Sequence, residues 1–208
     1  MFSHCGDNLN CGDNLLTSIN VTQNTALVEL AVNYNQLPTI NISQNTVLVD
    51  FNCDNNLLTN LNISQNVLLE QLRCQNNLLL NLNTTSNTAL IELFCGYNQL
   101  TSLNIATNTA LTDFNCNNNQ LSSIDVSTNT ALVQLVVDNN QLTTLNTSAN
   151  TTLEVLYCNY NLITALDVSQ NLILETLYCT FNQITELDIS VNTALYKLYC
   201  YNNLLTSL

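Results

Sequence analysis

Basic residues are almost missing from this chain. Two Lys and Arg stand against 15 Asp and Glu, a formal net charge of −13 over 208 residues. Nucleic acid and anionic membrane are held through Lys and Arg, so neither is an expected partner. A partner drawn by charge would be basic or a cation. Turn punctuation is scarce too, with 3 Gly and 1 Pro. That leaves no glycine-rich loop to cradle a phosphate. One His occurs, His4, near the start, so His-based catalytic sets lack material, and no catalytic residue, metal site or cofactor is expected. No apolar run approaches the ~20 residues of a membrane helix, so no membrane insertion is expected. The opening MFSHCGDNLN has neither a basic nor an apolar segment of the kind an export signal carries. Export would need a signal outside this chain.

What is abundant is asparagine, and it recurs at fixed spacing. Residues 51–66 read FNCDNNLLTNLNISQN, 114–129 read FNCNNNQLSSIDVSTN and 156–171 read LYCNYNLITALDVSQN. The period is 21 residues without insertion or deletion from Ser3 to Leu208. Ten coils begin at Ser3, Asn24, Asn45, Asn66, Asn87, Asn108, Asn129, Asn150, Asn171 and Asn192, the last of them incomplete. Counting from those starts, position 4 is Leu in every coil but the first. Position 7 is Leu or Phe, position 9 is Cys or Val, position 12 is always Asn, and positions 14 and 17 are Leu or Ile. A shorter period is nested inside. Both LTDFNCNNNQ (111–120) and LSSIDVSTNTA (121–131) follow L-x-x-(L/I/F)-x-(C/V)-x-x-N. Each half-coil is therefore expected to form a short strand and then a turn closed by Asn.

The segment Leu90-Ile-Glu-Leu-Phe-Cys-Gly-Tyr-Asn-Gln-Leu100 resembles the leucine-rich repeat. The 21-residue length with nested halves is similar to a bacterial subclass, the IRREKO type. The resemblance covers essentially the whole chain. It implies a mainly β repeat solenoid with no long helices, and a non-enzymatic binding scaffold, secreted or at the cell surface of a bacterium. Two strand-like halves predict parallel strands on both faces and low curvature. One array over 1–208 is expected, uncapped or part of a longer one.

Alternation places the side chains, because residues two apart on a strand share a face. Positions 7 and 9 should point inward, as should 17 and 19; positions 6, 8 and 10 should point out. Val32 and Val137 stand at the cysteine position, so that site asks for a small apolar group. A column of buried free thiols follows. Cys5 and Cys11 share one coil in CGDNLNCGDN, where a terminal disulfide is the open alternative. The Asn at positions 12 and 1 should bond turn backbone within its own coil and in the next.

Two outward features carry the functional expectations. Position 8 holds Phe94, Tyr157, Tyr178 and Tyr199, and nearby at positions 10 and 11 lie Tyr97, Tyr160, Phe181 and Tyr201. Those eight are the expected binding residues, for a protein or glycan partner. Equally, such aromatics can serve only to brace neighbouring strands. An acidic row runs through Asp7, Glu29, Asp50, Glu70, Glu92, Asp113, Glu154 and Glu175, a solvated edge or a surface for a basic partner. Exposed end coils would allow end-to-end association into filaments. The Ser/Thr/Asn lattice of the other face is similar to solenoid ice-binding surfaces, though Asp125, Asp167 and Asp188 interrupt it.

Overall fold

The computed structural model describes residues 6–208. His4 and Cys5 lie outside the described residues, and with them the suggested Cys5–Cys11 disulfide. Ten three-residue strands follow one another: β1 (Asn8–Asn10), β2 (Glu29–Ala31), β3 (Asp50–Asn52), β4 (Gln71–Arg73), β5 (Glu92–Phe94), β6 (Asp113–Asn115), β7 (Gln134–Val136), β8 (Val155–Tyr157), β9 (Thr176–Tyr178) and β10 (Lys197–Tyr199). They form one parallel sheet in sequence order. Each residue pairs with the one 21 later, as in Leu93 opposite Phe114 and Phe114 opposite Leu135. Among the described residues there is no helix, so none is long and apolar enough to cross a membrane.

The inward set is as the alternation requires. Leu72, Leu93, Phe114, Leu135 and Leu156 at position 7 are wholly buried, and positions 4 and 14 pack behind them. The thiols of Cys53, Cys74, Cys95, Cys116, Cys158 and Cys179 fill the same core as free cysteines. Burial away from water disfavours the thiolate, pushing Cys179 up to about 12 and Cys53, Cys74, Cys95 and Cys158 well above the ordinary thiol range. These are packing groups, not nucleophiles.

Asparagine ties the coils together at two corners. At position 12, the Asn119 amide donates to the Cys116 carbonyl in its own coil at 3.1 Å and to Cys95 O in the preceding coil at 3.1 Å. Its Oδ1 accepts the Leu100 N–H at 2.9 Å. At position 1, the Asn66 amide donates to Ile42 O at 3.0 Å and Asn45 O at 2.8 Å. Both rows thus reach back to the preceding coil, where the sequence suggested the next one.

The second expected sheet does not form. Between positions 15 and 20, the described residues show one backbone bond between coils, Thr206 N–H to Thr185 O, and one isolated bridge, Glu186 with Ser207. The reason lies at position 18. Its side-chain oxygen takes the N–H of position 20 in nine consecutive coils, from Asn20 with Thr22 through Asp125 with Ser127 to Asp188 with Ser190. A side chain that captures a backbone donor within its own coil competes with the ladder.

Position 19 holds a second departure. It is apolar except at Thr84 and Thr147. Thr84 Oγ1 donates to Asn108 Oδ1 at 2.7 Å, and Thr147 Oγ1 to Asn171 Oδ1 at 2.9 Å. Where Val or Ile stands instead, the corresponding Oδ1 of Asn45, Asn66, Asn87, Asn129, Asn150 and Asn192 is buried without a partner. Thr84→Val should therefore cost about 1–3 kcal/mol, the usual penalty for orphaning a buried acceptor. Val126→Thr should be neutral or stabilising, because it offers Asn150 a donor. Urea midpoints of the two variants decide this; equal destabilisation by both would contradict the assignment.

Candidate functional site

The outward side chains of the sheet fall at positions 6, 8 and 10, and the chain then turns through position 11. That residue is left-handed in all ten coils, with φ from 50° at Tyr34 to 55° at Asn202. Asn and Asp tolerate this region and occupy six of the ten sites, Asp13, Asn55, Asn76, Asn118, Asn139 and Asn202. Tyr34, Tyr97, Tyr160 and Phe181 occupy the rest at a conformational cost. The left-handed geometry throws position 11 outward: Tyr97 and Tyr160 are about half exposed.

Six of the eight expected residues come together at β8–β10. Tyr157 and Tyr178 stack with centroids 4.6 Å apart and planes at 15°. Tyr178 meets Tyr199 at 4.5 Å, closer to edge-on at 64°. Beside this row, Tyr160 and Phe181 stack at 4.3 Å and 10°, and Phe181 meets Tyr201 at 5.6 Å and 78°. Each pair adds about 0.5–1.5 kcal/mol beyond burial, so bracing of the sheet is real whatever else the rings do. Between the rows runs a shallow groove of about 380 Å³, lined by Asn159, Tyr160, Tyr178, Thr180, Tyr199 and Tyr201. Phe94 and Tyr97 stand apart on β5 and its turn. Asn115 and Val136 separate Phe94 from Tyr157 at position 8.

Sequence reasoning missed the polar residues beneath the rings. Where position 8 is Asn, its Oδ1 caps the N–H of position 10, as Asn52 does for Asp54 at 3.1 Å. A tyrosine there cannot. The cap is then supplied from position 10 of the preceding coil: Asp138 Oδ1 accepts from Asn159 N–H at 2.6 Å and from its side-chain amide at 2.9 Å. Asn159 Oδ1 in turn accepts from the N–H and hydroxyl of Thr180, at 2.8 and 2.7 Å. Asp138, Asn159 and Thr180 form a track under the aromatic rows. A signal was present in part: Tyr157 and Tyr178 at position 8 follow Asp138 and Asn159 at the previous position 10, whereas Tyr199 follows Thr180.

Burial pushes Asp138 and its counterpart Asp54 up to about 6, against the lowering effect of the N–H groups they accept from. The acidic row lies mostly on the other half of the sheet. Glu29, Asp50, Glu92 and Asp113 occupy position 6 of β2, β3, β5 and β6. Arg73 bridges two of them, with Asp50 at 3.1 Å and Glu92 at 2.9 Å, and also donates to Gln71 at 2.7 Å. On β8–β10 position 6 is Val155, Thr176 and Lys197, and Lys197 lies 5.3 Å over the Tyr196 ring. No group of three His, Cys, Asp or Glu among the described residues is arranged to hold a metal.

No family model matches the sequence, and no curated protein matches it. Solved structures do. The functional domain of InlJ from Listeria monocytogenes, which includes a cysteine ladder, superposes with a TM-score of 0.96 at 36% identity, over 97% of this chain and 45% of its own. A leucine-rich-repeat protein of Leptospira interrogans follows at 0.91 and 26%, over 96% of this chain and 56% of its own. The chain is a leucine-rich-repeat protein of the bacterial kind. It spans about half the length of these two relatives. An internalin of Listeria monocytogenes, InlF, shares the fold at 0.81 and 24%, over 94% of this chain and 67% of its own. The leucine-rich repeats of this chain thus carry the sheet, the thiol column and the asparagine corners as one repeating unit.

Two outcomes follow from this geometry. A carboxyl whose folded pKa is raised binds its proton more tightly in the native state. Its contribution is then full below the unfolded value near 3.8 and is lost as pH rises through about 6. Asp125, Asp167 and Asp188, lowered by their bonds to Ser127, Ser169 and Ser190, act oppositely, but only below that range. Stability by urea titration should fall between pH 4.5 and 7, and Asp54→Asn/Asp138→Asn should flatten the fall. An unchanged slope in the double variant would refute the assignment. Separately, Tyr97→Asn should stabilise the fold by about 0.5–1 kcal/mol through relief at a left-handed site. Tyr160→Asn should gain less, because its stack with Phe181 is lost.

Proposed function

We propose that the chain is a non-enzymatic binding scaffold whose outward sheet face engages a partner through the aromatic patch of β8–β10. The observation that carries this reading is the conformational cost at Tyr160 and Phe181. Six other coils put Asn or Asp at the same left-handed turn. Here large rings are held there and left accessible, and backbone strain of this kind gathers at binding sites. Five of the six rings are tyrosines, which suit an interface, being apolar at the body and polar at the tip. The bonded track of Asp138, Asn159 and Thr180 sets the backbone beneath them.

Charge supports a protein partner over nucleic acid. Of the two cationic side chains, Arg73 is already engaged by carboxylates and Lys197 lies over the Tyr196 ring at β10. The resemblance to exported bacterial repeats supports secretion or surface display, and such a scaffold meets its partner there.

A displayed random-peptide library selected against the wild-type protein tests the reading. The selected peptides should lose binding at least tenfold on a Tyr157→Ser/Tyr178→Ser/Tyr199→Ser variant whose buried thiols remain protected. Peptides that bind the variant as well as the wild type would remove the patch as the site.

A further inference from the structure

Taking the aromatic patch as a binding site, we infer that it receives an extended peptide in the polyproline II conformation, whose basic flank lies over the acidic half of the sheet toward β6. Three observations converge on this occupant.

The first is ring orientation. Tyr157 with Tyr178 and Tyr160 with Phe181 lie face to face within 15° of parallel. Their electron-rich faces cover one another along the solenoid axis, so the edges and hydroxyls are what the groove presents. A sugar ring stacks on an open aromatic face, and few are open here. Ring edges carry partial positive charge and tyrosine hydroxyls donate. Both suit the carbonyl oxygens of a polyproline II chain, which have no internal partners. Aromatic-lined grooves are the usual seat of such chains.

The second is register. The groove runs along the axis, because each row repeats by one rung. Parallel strands lie about 4.8 Å apart, so two rungs span about 9.6 Å. A polyproline II turn of three residues rises about 9.3 Å. Residues i and i+3 of the peptide would therefore meet rings two rungs apart, such as Tyr160 and Tyr201 of the groove lining.

The third is charge. The position-6 side chains facing the patch are Val155, Thr176 and Lys197, whereas those of β2, β3, β5 and β6 are Glu29, Asp50, Glu92 and Asp113. Arg73 offsets part of that charge at Asp50 and Glu92 and leaves Asp113 on the side nearest the patch. Two rungs separate β8 from β6, about 10 Å, or about three residues of the peptide. Glu154 and Glu175 add carboxylates at position 5 of the patch coils. Lys197 on β10 is the cation at the other end, so negative charge grows from β10 toward β6 and gives the peptide one preferred polarity of charge along the axis.

The test uses fluorescently labelled synthetic peptides in anisotropy titrations with the whole chain. These are nine prolines alone, nine prolines with three arginines at either end, and an arginine-tailed version with alternate prolines replaced by glycine; chitohexaose is run as a competitor. At 50 mM salt, one arginine-tailed proline peptide should bind at least fivefold tighter than the untailed one, and at 500 mM the advantage should vanish. Glu92→Gln/Asp113→Asn should remove only that advantage. Tyr178→Ser/Tyr199→Ser should weaken every proline peptide at least tenfold. Equal binding of the glycine-substituted peptide, or chitohexaose displacing a bound ligand that no proline peptide displaces, would overturn the polyproline assignment. If the proline peptides fail while library-selected peptides still need Tyr178 and Tyr199, the occupant is wrong and the patch stands. If no binding depends on those tyrosines, both readings fall.

Discussion

The solenoid depends on a side-chain amide reaching from one coil to the backbone of the coil before it. The corner carbonyls of each coil are buried and are met by side-chain amides. Asn has both a donor pair and an acceptor on a short stem. The row at position 12 uses both functions, and the row at position 1 uses its donors throughout and its acceptor at Asn108 and Asn171. Asn119 joins the Cys95 and Cys116 carbonyls and takes the Leu100 N–H. The same set recurs at Asn56, Asn77 and Asn140. Because every coil is pinned at the same two corners, the register cannot slip. Any residue type placed at one position in consecutive coils becomes a row, which is how Tyr157, Tyr178 and Tyr199 come to stack.

The same economy of short polar side chains explains why the sheet is one-sided. On the strand side, the side chain at position 10 or 8 caps one N–H and leaves those of positions 9, 11 and 12 to the ladder, as in Cys53, Asn55 and Asn56. On the other side, position 18 binds position 20 in every complete coil. The backbone there is organised by turns within a coil, and adjacent coils are held by apolar packing of positions 14, 17 and 19. The buried Oδ1 atoms of the position-1 row are the residual cost of that arrangement. Thr84 and Thr147 show that one hydroxyl removes it.

Much of this was legible in the sequence. The period, the inward columns, the buried thiols and the two asparagine corners all follow from spacing, because a repeat read ten times reports its own constraints. The second strand was misread because its L-x-x-(L/I/F)-x-(C/V) pattern matches the first, while what differs is the Asn or Asp two residues before Thr or Ser. Hydrophobic period reports which side chains are inside, not where an N–H is spent. The left-handed turn was hidden for a related reason. Asn at position 11 looks like one more polar surface residue, and only its alternation with Tyr34, Tyr97, Tyr160 and Phe181 hints that backbone conformation, not polarity, is being conserved from coil to coil. Of the candidate site, the rings were legible and their underpinning was not. Asp138 and Asn159 act on the following coil, 21 residues away, and no local pattern marks that pairing.

Rows built this way make a face whose halves can differ without disturbing the fold. Asparagine at position 8 caps its own coil, and with Tyr157 or Tyr178 there the cap comes from the previous position 10, so the exchange of Asn115 for Tyr157 between β6 and β8 leaves the backbone bonded either way. The consequence is a sheet on which recognition groups are changed rung by rung while the corners stay fixed. The transfer also fixes an order. The aromatic row begins where the preceding coil supplies an acceptor, as Asp138 does for the coil of Tyr157 and Asn159 for that of Tyr178. Phe94 follows Gln75 at position 10, and no bond of that kind reaches Gly96. An isolated ring is tolerated there, but the row does not extend from it. The patch thus starts one coil after Asp138, whose counterpart Asp54 caps the coil of Arg73 in the same way.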